Sequence, residues 1–201
     1  LHNCIRFGDR NMKLFRKKEI DPFFKLFEIP CDYDGYDLVF EQGKTSPDIY
    51  YSINEIITNG KYEIKTDKIK HLTIASSLDE FYVFYDEWLE ELLKEGFVFR
   101  LDAETPIEEF AQAIIKMLKI HAFEAPLNEN DMIEHYKHEL REMGINEAIN
   151  YDVLMANTAA AELRRYKIEL IDLFDGFSNC DFAIIPEHQI PALKKLEESV
   201  K

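Results

Sequence analysis

Two histidines three residues apart lie beside carboxylates in one charged segment, Glu134-His135-Tyr136-Lys137-His138-Glu139. On a helix, residues at i, i+3 and i+4 share a face. His135 and His138, with a neighbouring carboxylate, could therefore ligate a metal ion or provide a general base. The order His-x-x-His-Glu matches neither of the known zinc-protease helix motifs. A solvated helix with internal charge pairs explains the same residues, and we favour this interpretation over a metal site.

Three aspartates near the C-terminus, Asp172, Asp175 and Asp181, flank the turn between two apolar segments. Carboxylate oxygens gathered across such a hairpin could coordinate a divalent ion. Aspartates are also common in turns because their side chains bond neighbouring backbone amides, and we favour that explanation. The sequence therefore predicts no cofactor. A metal-dependent hydrolase that uses these aspartates or the two histidines is an alternative function.

Other catalytic signatures are missing from the sequence. It contains no Gly-x-Ser-x-Gly elbow and no glycine-rich phosphate loop, and its seven glycines stand singly. Cys4, Cys31 and Cys180 are far apart and form no Cys-x-x-Cys pair, so they indicate neither a disulfide framework nor a zinc knuckle. Carboxylates close to Cys31 and Cys180 in the sequence are expected to raise the pKa of both thiols, which disfavours a nucleophilic role.

Acidity is the most distinctive property of the composition. Asp and Glu number 39 against 24 Lys and Arg, and the formal net charge is −15. Such a surplus disfavours nucleic acid and anionic membranes as partners, and it favours a cationic protein. Bacterial immunity proteins, which block the basic clefts of nuclease toxins, share this small and acidic profile.

We therefore expect a non-catalytic protein that binds a basic protein partner. The candidate contact residues are Asp102, Glu104, Asp172 and Asp175. Acidic residues spread evenly for solubility are an alternative explanation of the charge. A structural or scaffold subunit, built as a homo-oligomer that buries some of the 15 Phe and 10 Tyr residues, is another.

Compartment and chain start can also be inferred from the sequence. No apolar stretch approaches the roughly 18 to 20 residues that cross a bilayer, and the beginning does not resemble a signal peptide. Together with unpaired cysteines, this predicts a cytoplasmic protein. Met12 is followed by a typical bacterial start, and codons for Gly8–Asn11 can contain a ribosome-binding sequence. We therefore hypothesise that residues 1–11 lie upstream of the native start.

Hydrophobic spacing predicts the elements that position these residues. Predicted helices cover 19–28, 47–58, 77–95, 129–143 and 150–165, with further helices opening at Thr105-Pro106 and near Gln189. Predicted strands cover 38–40, 61–66, 71–75, 97–101, 168–174 and 182–185.

This order mixes helices with short strands and includes at least one hairpin. It lacks the strict alternation of a doubly wound parallel sheet, so we predict an α+β fold with largely antiparallel strands. We also predict a single domain over residues 1–201. The polar stretch 124–131 is the one candidate for a boundary, and a loop within one domain explains it equally well.

Two segments resemble a family of uncharacterised bacterial domain proteins. One is Glu95–Asp102 followed by Glu108-Glu109-Phe110, and the other is Tyr166–Asp172 followed by Asp181–Pro186 and a leucine-rich terminal helix. They occur in the family's order and cover about a third of the chain. The family has Trp-Lys after the first Asp, where this chain has Ala103-Glu104. The resemblance implies no known activity.

Overall fold

The computed structural model describes residues 36–37, 47–63, 78–102, 104–146, 150–173 and 180–198. Within these ranges the chain forms six α-helices and four strands. In order they are β1 (Tyr36–Asp37), α1 (Pro47–Thr58), α2 (Leu78–Glu95), β2 (Val98–Leu101), α3 (Ile107–His121), α4 (Glu129–Glu142), α5 (Asp152–Arg164), β3 (Ile168–Asp172), β4 (Cys180–Pro186) and α6 (Ile190–Glu198). A single 3-10 turn, Glu187–Gln189, connects β4 to α6.

The strands form one sheet in the order β1-β3-β4-β2. β4 lies in the interior and pairs antiparallel with both β3 and β2, whereas the two-residue β1 pairs parallel with β3. The predicted hairpin between 168–174 and 182–185 corresponds to β3 and β4. The predicted α+β fold with largely antiparallel strands is confirmed.

The sheet lies between two layers of helices. Leu170, Phe182 and Ile184 point to one face and join the core formed with α3, α4 and α5. Ile171 and Ala183 point to the other face, towards α1, α2 and α6. Because side chains alternate along a strand, a strand covered on both faces needs a continuous apolar run. The apolar run Phe182–Ile185 within β4 therefore reflects the central position of this strand.

The helices follow the predicted spacing closely. Tyr85, Trp88 and Leu92 of α2 are buried, as their recurrence at helical intervals indicated. α2 ends at Gly96, whose φ of +80° is readily adopted by glycine alone. At the start of α4, the Asn128 side chain accepts a hydrogen bond of 3.0 Å from the backbone N–H of Asp131, which caps the helix.

One predicted strand is wrong in its described part. Residues 61–63 of the predicted strand 61–66 form no strand. The backbone carbonyl of Tyr62 instead accepts hydrogen bonds from Asn54 Nδ2 at 2.9 Å and Thr58 Oγ1 at 3.2 Å. Side chains of α1 thus satisfy the backbone group that a strand would have paired in a ladder.

The helix predicted over 19–28 and the strands predicted over 38–40 and 71–75 lie outside the described residues. Residues 1–11, Cys4 and Cys31 also lie outside them. The candidate boundary 124–131 covers the link from α3 to α4 and the first three residues of α4. Both helices pack into the same core, and Leu127 from this stretch is itself buried there. In the described part of the chain, no helix has both the length and the apolar character required to span a membrane.

Candidate functional site

The two candidate histidines lie on α4 and have different surroundings. Met132, Tyr136 and Leu140 form the buried face of this helix. His135 lies beside that face, where its Nδ1 is 2.7 Å from Oε1 of Glu162 on α5 and its Nε2 is 3.6 Å from Oε1 of Glu139. His138, one turn further along, is exposed. The solvated-helix interpretation accounts for the exposure of His138 and for the i,i+4 contact of His135 with Glu139, whereas the contact with Glu162 comes from another helix.

Glu162 is a buried carboxylate that was not among the residues predicted for a site. Its Oε2 accepts a hydrogen bond of 2.8 Å from Arg165 Nη1, and this contact raises the pKa of the guanidinium. The sequence does contain a signal for this residue. Glu162 follows Met155 and Thr158 by seven and four positions, and both are buried on α5. A charged residue at a buried helical position requires a partner, and the partners here are Arg165 and His135.

The third histidine of this region, His121, does not join the other two. Its buried ring stacks on Phe123 with centroids 4.9 Å apart and meets the edge of Phe97 at 5.3 Å. Among the described residues, neither ring nitrogen has a hydrogen-bond partner. Burial, assisted by the nearby Lys61 ammonium, lowers the pKa of His121 to about 4, so the ring is neutral at physiological pH.

Asp181 of the C-terminal candidates forms a buried ion pair. Its carboxylate is 1% exposed and accepts hydrogen bonds from Arg100 Nε at 2.8 Å and Nη2 at 3.2 Å. Arg100 Nη2 also lies 3.9 Å from Asp86 on α2. Because Asp181 is neutralised by a bidentate guanidinium, this carboxylate has a structural role that does not require a metal ion.

Asp172 and Cys180 lie at the same end of the sheet. Asp172 is the last residue of β3 and is buried, whereas Asp175 lies outside the described residues. Burial raises the pKa of the Cys180 thiol to about 12, with smaller contributions from Asp172, Asp152 and Asp181. The sequence indicated the direction of this shift from the carboxylates alone, and the structure adds burial as the larger cause.

Asp102 and Glu104, the other candidate contact residues, are both exposed and belong to the turn before α3. Asp102 Oδ1 accepts hydrogen bonds from the Glu104 backbone N–H at 2.9 Å and from Thr105 Oγ1 at 3.0 Å. The Asp102 carboxylate therefore orders this turn, while its exposure leaves it accessible to a partner.

A metal centre with three protein ligands is not formed by the described residues, since no three His, Cys, Asp or Glu side chains among them are placed to hold an ion. His135, His138, Asp172 and Asp181 are distributed over α4 and two strands. The metal-dependent hydrolase stays a prediction.

A surface that the sequence analysis did not select lies on α2. Seven of the 18 residues of this helix are Asp or Glu, and Lys94 is its one cation. Val83, Asp86, Glu87 and Glu90 are exposed and follow one another at helical spacing, and we call these four residues the α2 acidic face. Val83 is 56% exposed and is the one large apolar side chain that stands exposed among the described residues.

Comparison with family models, curated proteins and solved structures finds no match to this chain. The resemblance to uncharacterised bacterial proteins therefore stays a prediction.

Proposed function

We propose that this protein is a non-catalytic, cytoplasmic interaction protein that binds a basic protein partner through the α2 acidic face. The observation that carries the proposal is the position of Val83 in line with Asp86, Glu87 and Glu90 on one exposed side of the helix. An exposed apolar side chain among carboxylates provides both a contact that excludes water and a charge pattern that selects the partner.

The charge arrangement along α2 supports a role in binding. Asp86 and Glu90 are four residues apart, and like charges at this spacing destabilise a helix by about 0.2 to 0.5 kcal/mol per pair. Arg100 Nη2, 3.9 Å from Asp86, offsets part of this repulsion within the chain. A cationic partner that approaches this side of the helix would offset more of it, which favours binding.

The same face would also accelerate association. A net charge of −15 attracts a basic protein over several ångströms, and electrostatic steering raises association rates by roughly 10- to 1000-fold at low salt. The Debye length is about 10 Å at 0.1 M salt, so added salt screens this attraction. We therefore expect a complex whose association rate falls steeply with ionic strength.

Affinity capture from a lysate of the source organism tests the proposal. The tagged chain is incubated at about 50 mM salt, and bound proteins are eluted at several-fold higher salt and quantified by mass spectrometry. A parallel capture uses the triple variant Asp86→Asn, Glu87→Gln, Glu90→Gln. We expect at least one basic protein in the wild-type eluate to be depleted about tenfold or more with this variant.

A matched control distinguishes an effect of the α2 acidic face from an effect of the net charge of the protein. Glu124, Glu134 and Glu142 are also exposed, and changing all three to Gln removes the same number of charges elsewhere on the surface. The control should recover the basic protein at nearly the wild-type level. Equal depletion by both triple variants, or no basic protein in the wild-type eluate, would overturn the proposal and favour the solubility, hydrolase or scaffold alternatives.

A further inference from the structure

We propose that His135 and Glu139 of α4, oriented by Glu162 of α5, form a two-donor binding site for a divalent transition-metal ion such as Zn²⁺. The site lies on another helix from the α2 acidic face, and the inference does not depend on the proposed function. Its basis is the chain of contacts from the buried Glu162 carboxylate through the imidazole to the exposed Glu139.

The Glu162 contact determines which nitrogen of His135 faces the solvent. Glu162 accepts a hydrogen bond from Arg165 through its other oxygen, so its Oε1 faces His135 as an acceptor. We assign the proton of His135 to Nδ1, which then donates across the 2.7 Å contact. In the neutral ring, Nε2 is then left with its lone pair directed away from α5. Metal-binding histidines characteristically donate their second nitrogen to a carboxylate in this way.

The separation of the two donor atoms suits a metal ion. Nε2 of His135 and Oε1 of Glu139 lie 3.6 Å apart. Two ligands of a tetrahedral zinc, each bound at about 2.0 to 2.1 Å, are separated by roughly 3.3 Å. A small side-chain adjustment therefore brings both atoms to bonding distance. Two electron-rich atoms at this separation repel one another unless a cation, either a proton or a metal ion, lies between them.

The location leaves the remaining coordination positions open. The His135 and Glu139 side chains are 31% and 39% exposed, so water can complete the coordination shell. His138 is exposed one turn from His135, but it is not placed to share an ion with His135 and Glu139. Imidazole and carboxylate together suit zinc and its neighbours in the first transition row better than they suit Ca²⁺ or Mg²⁺.

The two histidines should contribute unequally to metal binding. If adjacent surface imidazoles merely attract metal, then His135→Ala and His138→Ala should weaken binding equally. If Glu162 orients the donor, His135→Ala should cost far more than His138→Ala. Glu162→Gln should also lower the affinity by about tenfold or more, although it removes no ligand.

Isothermal titration of the metal-free full chain with Zn²⁺ at pH 7.5 tests the site. We expect one ion per chain whose binding is lost in His135→Ala, weakened about tenfold in Glu162→Gln and less affected in His138→Ala. His188→Ala, which removes an exposed histidine of the 3-10 turn after β4, is the control and should leave that ion bound. Absence of zinc binding, or equal losses in His135→Ala and His138→Ala, would overturn the proposal.

Glu162 is buried, so circular dichroism must show that Glu162→Gln is folded. A second pair of variants tests the metal site whether or not Glu162→Gln is folded. Glu139→Gln and Glu142→Gln each remove one carboxylate from the outer part of α4. Only Glu139→Gln should weaken zinc binding, and equal behaviour of the two variants would contradict the site.

Discussion

Arg100 and Asp181 are directly opposite one another on β2 and β4, and the guanidinium binds both carboxylate oxygens. This pair joins the edge strand to the middle of the sheet, and Arg100 also approaches Asp86 of α2. One cation thus connects the buried sheet to the helix that bears the α2 acidic face.

Removal of Arg100 should destabilise the fold more than removal of the charge on its partner. Arg100→Met removes the guanidinium that neutralises the buried Asp181 carboxylate, which should lower the free energy of unfolding by about 3 kcal/mol or more. Asp181→Asn leaves a partly exposed guanidinium that water can solvate, and should cost about 1 to 2 kcal/mol. Urea unfolding of the two variants measures both losses of unfolding free energy and shows which is larger. A larger loss for Asp181→Asn would contradict the assignment of the buried charge to Asp181.

Gly96 and Gly60 provide a matched test of backbone strain and close packing. Both have positive φ, +80° and +67°, so alanine at either position should cost about 1 kcal/mol. A Cβ on Gly96 would also lie 2.8 Å from Ile120 Cδ1, whereas a Cβ on Gly60 meets no atom within 4 Å. Gly96→Ala should therefore be the more destabilising change in denaturant unfolding. Equal losses would contradict this prediction and show that the Ile120 side chain turns away from the added Cβ.

His121 should make stability depend on pH in a defined window. Folding lowers its pKa from 6.5 to about 4, so below pH 6.5 the unfolded chain takes up a proton that the folded chain does not. The contribution of His121 is complete above about pH 6.5 and falls by about 3 kcal/mol as the pH drops to 4.

His121→Phe retains an aromatic ring against Phe97 and Phe123 but cannot titrate. Denaturant unfolding of both proteins between pH 4 and pH 7 isolates the contribution of His121, because other groups affect the two chains alike. The stability of the wild type should decline more steeply towards pH 4. Parallel curves would show that the His121 ring is not held neutral.

Cys180 should react slowly with alkylating reagents in the folded protein. A pKa near 12, against 9.0 for an ordinary thiol, lowers the thiolate fraction at pH 8 by about a thousandfold. Peptide mass spectrometry after iodoacetamide treatment should show modification of Cys180 at least about 100 times slower in the folded than in the urea-unfolded chain. Asp152→Asn should accelerate the reaction only modestly, because burial is the larger cause of the shift.

Much of the local structure could be predicted from the sequence, because helices and strands depend on periodicities that short segments contain. The spacing of Tyr85, Trp88 and Leu92 predicted α2, and the apolar run Phe182–Ile185 predicted the middle of β4. The strand predicted at residues 61–66 failed in its described part because a side chain of α1, that of Asn54, satisfies the carbonyl of Tyr62. That competition is not visible in the alternation of polar and apolar residues.

The sequence by itself determined the α+β class, the acidity, the identity of His135 as a candidate ligand and the direction of the pKa shift at Cys180. Only the tertiary structure paired Glu162 with His135 across 27 residues and Arg100 with Asp181 across 81. It also separated His121 from the other histidines. The physical reason is that the periodicity of a helix or strand is determined within a short segment. Burial and strand register arise only when distant segments pack together. Each charge buried by that packing then needs a partner, which can come from far along the chain.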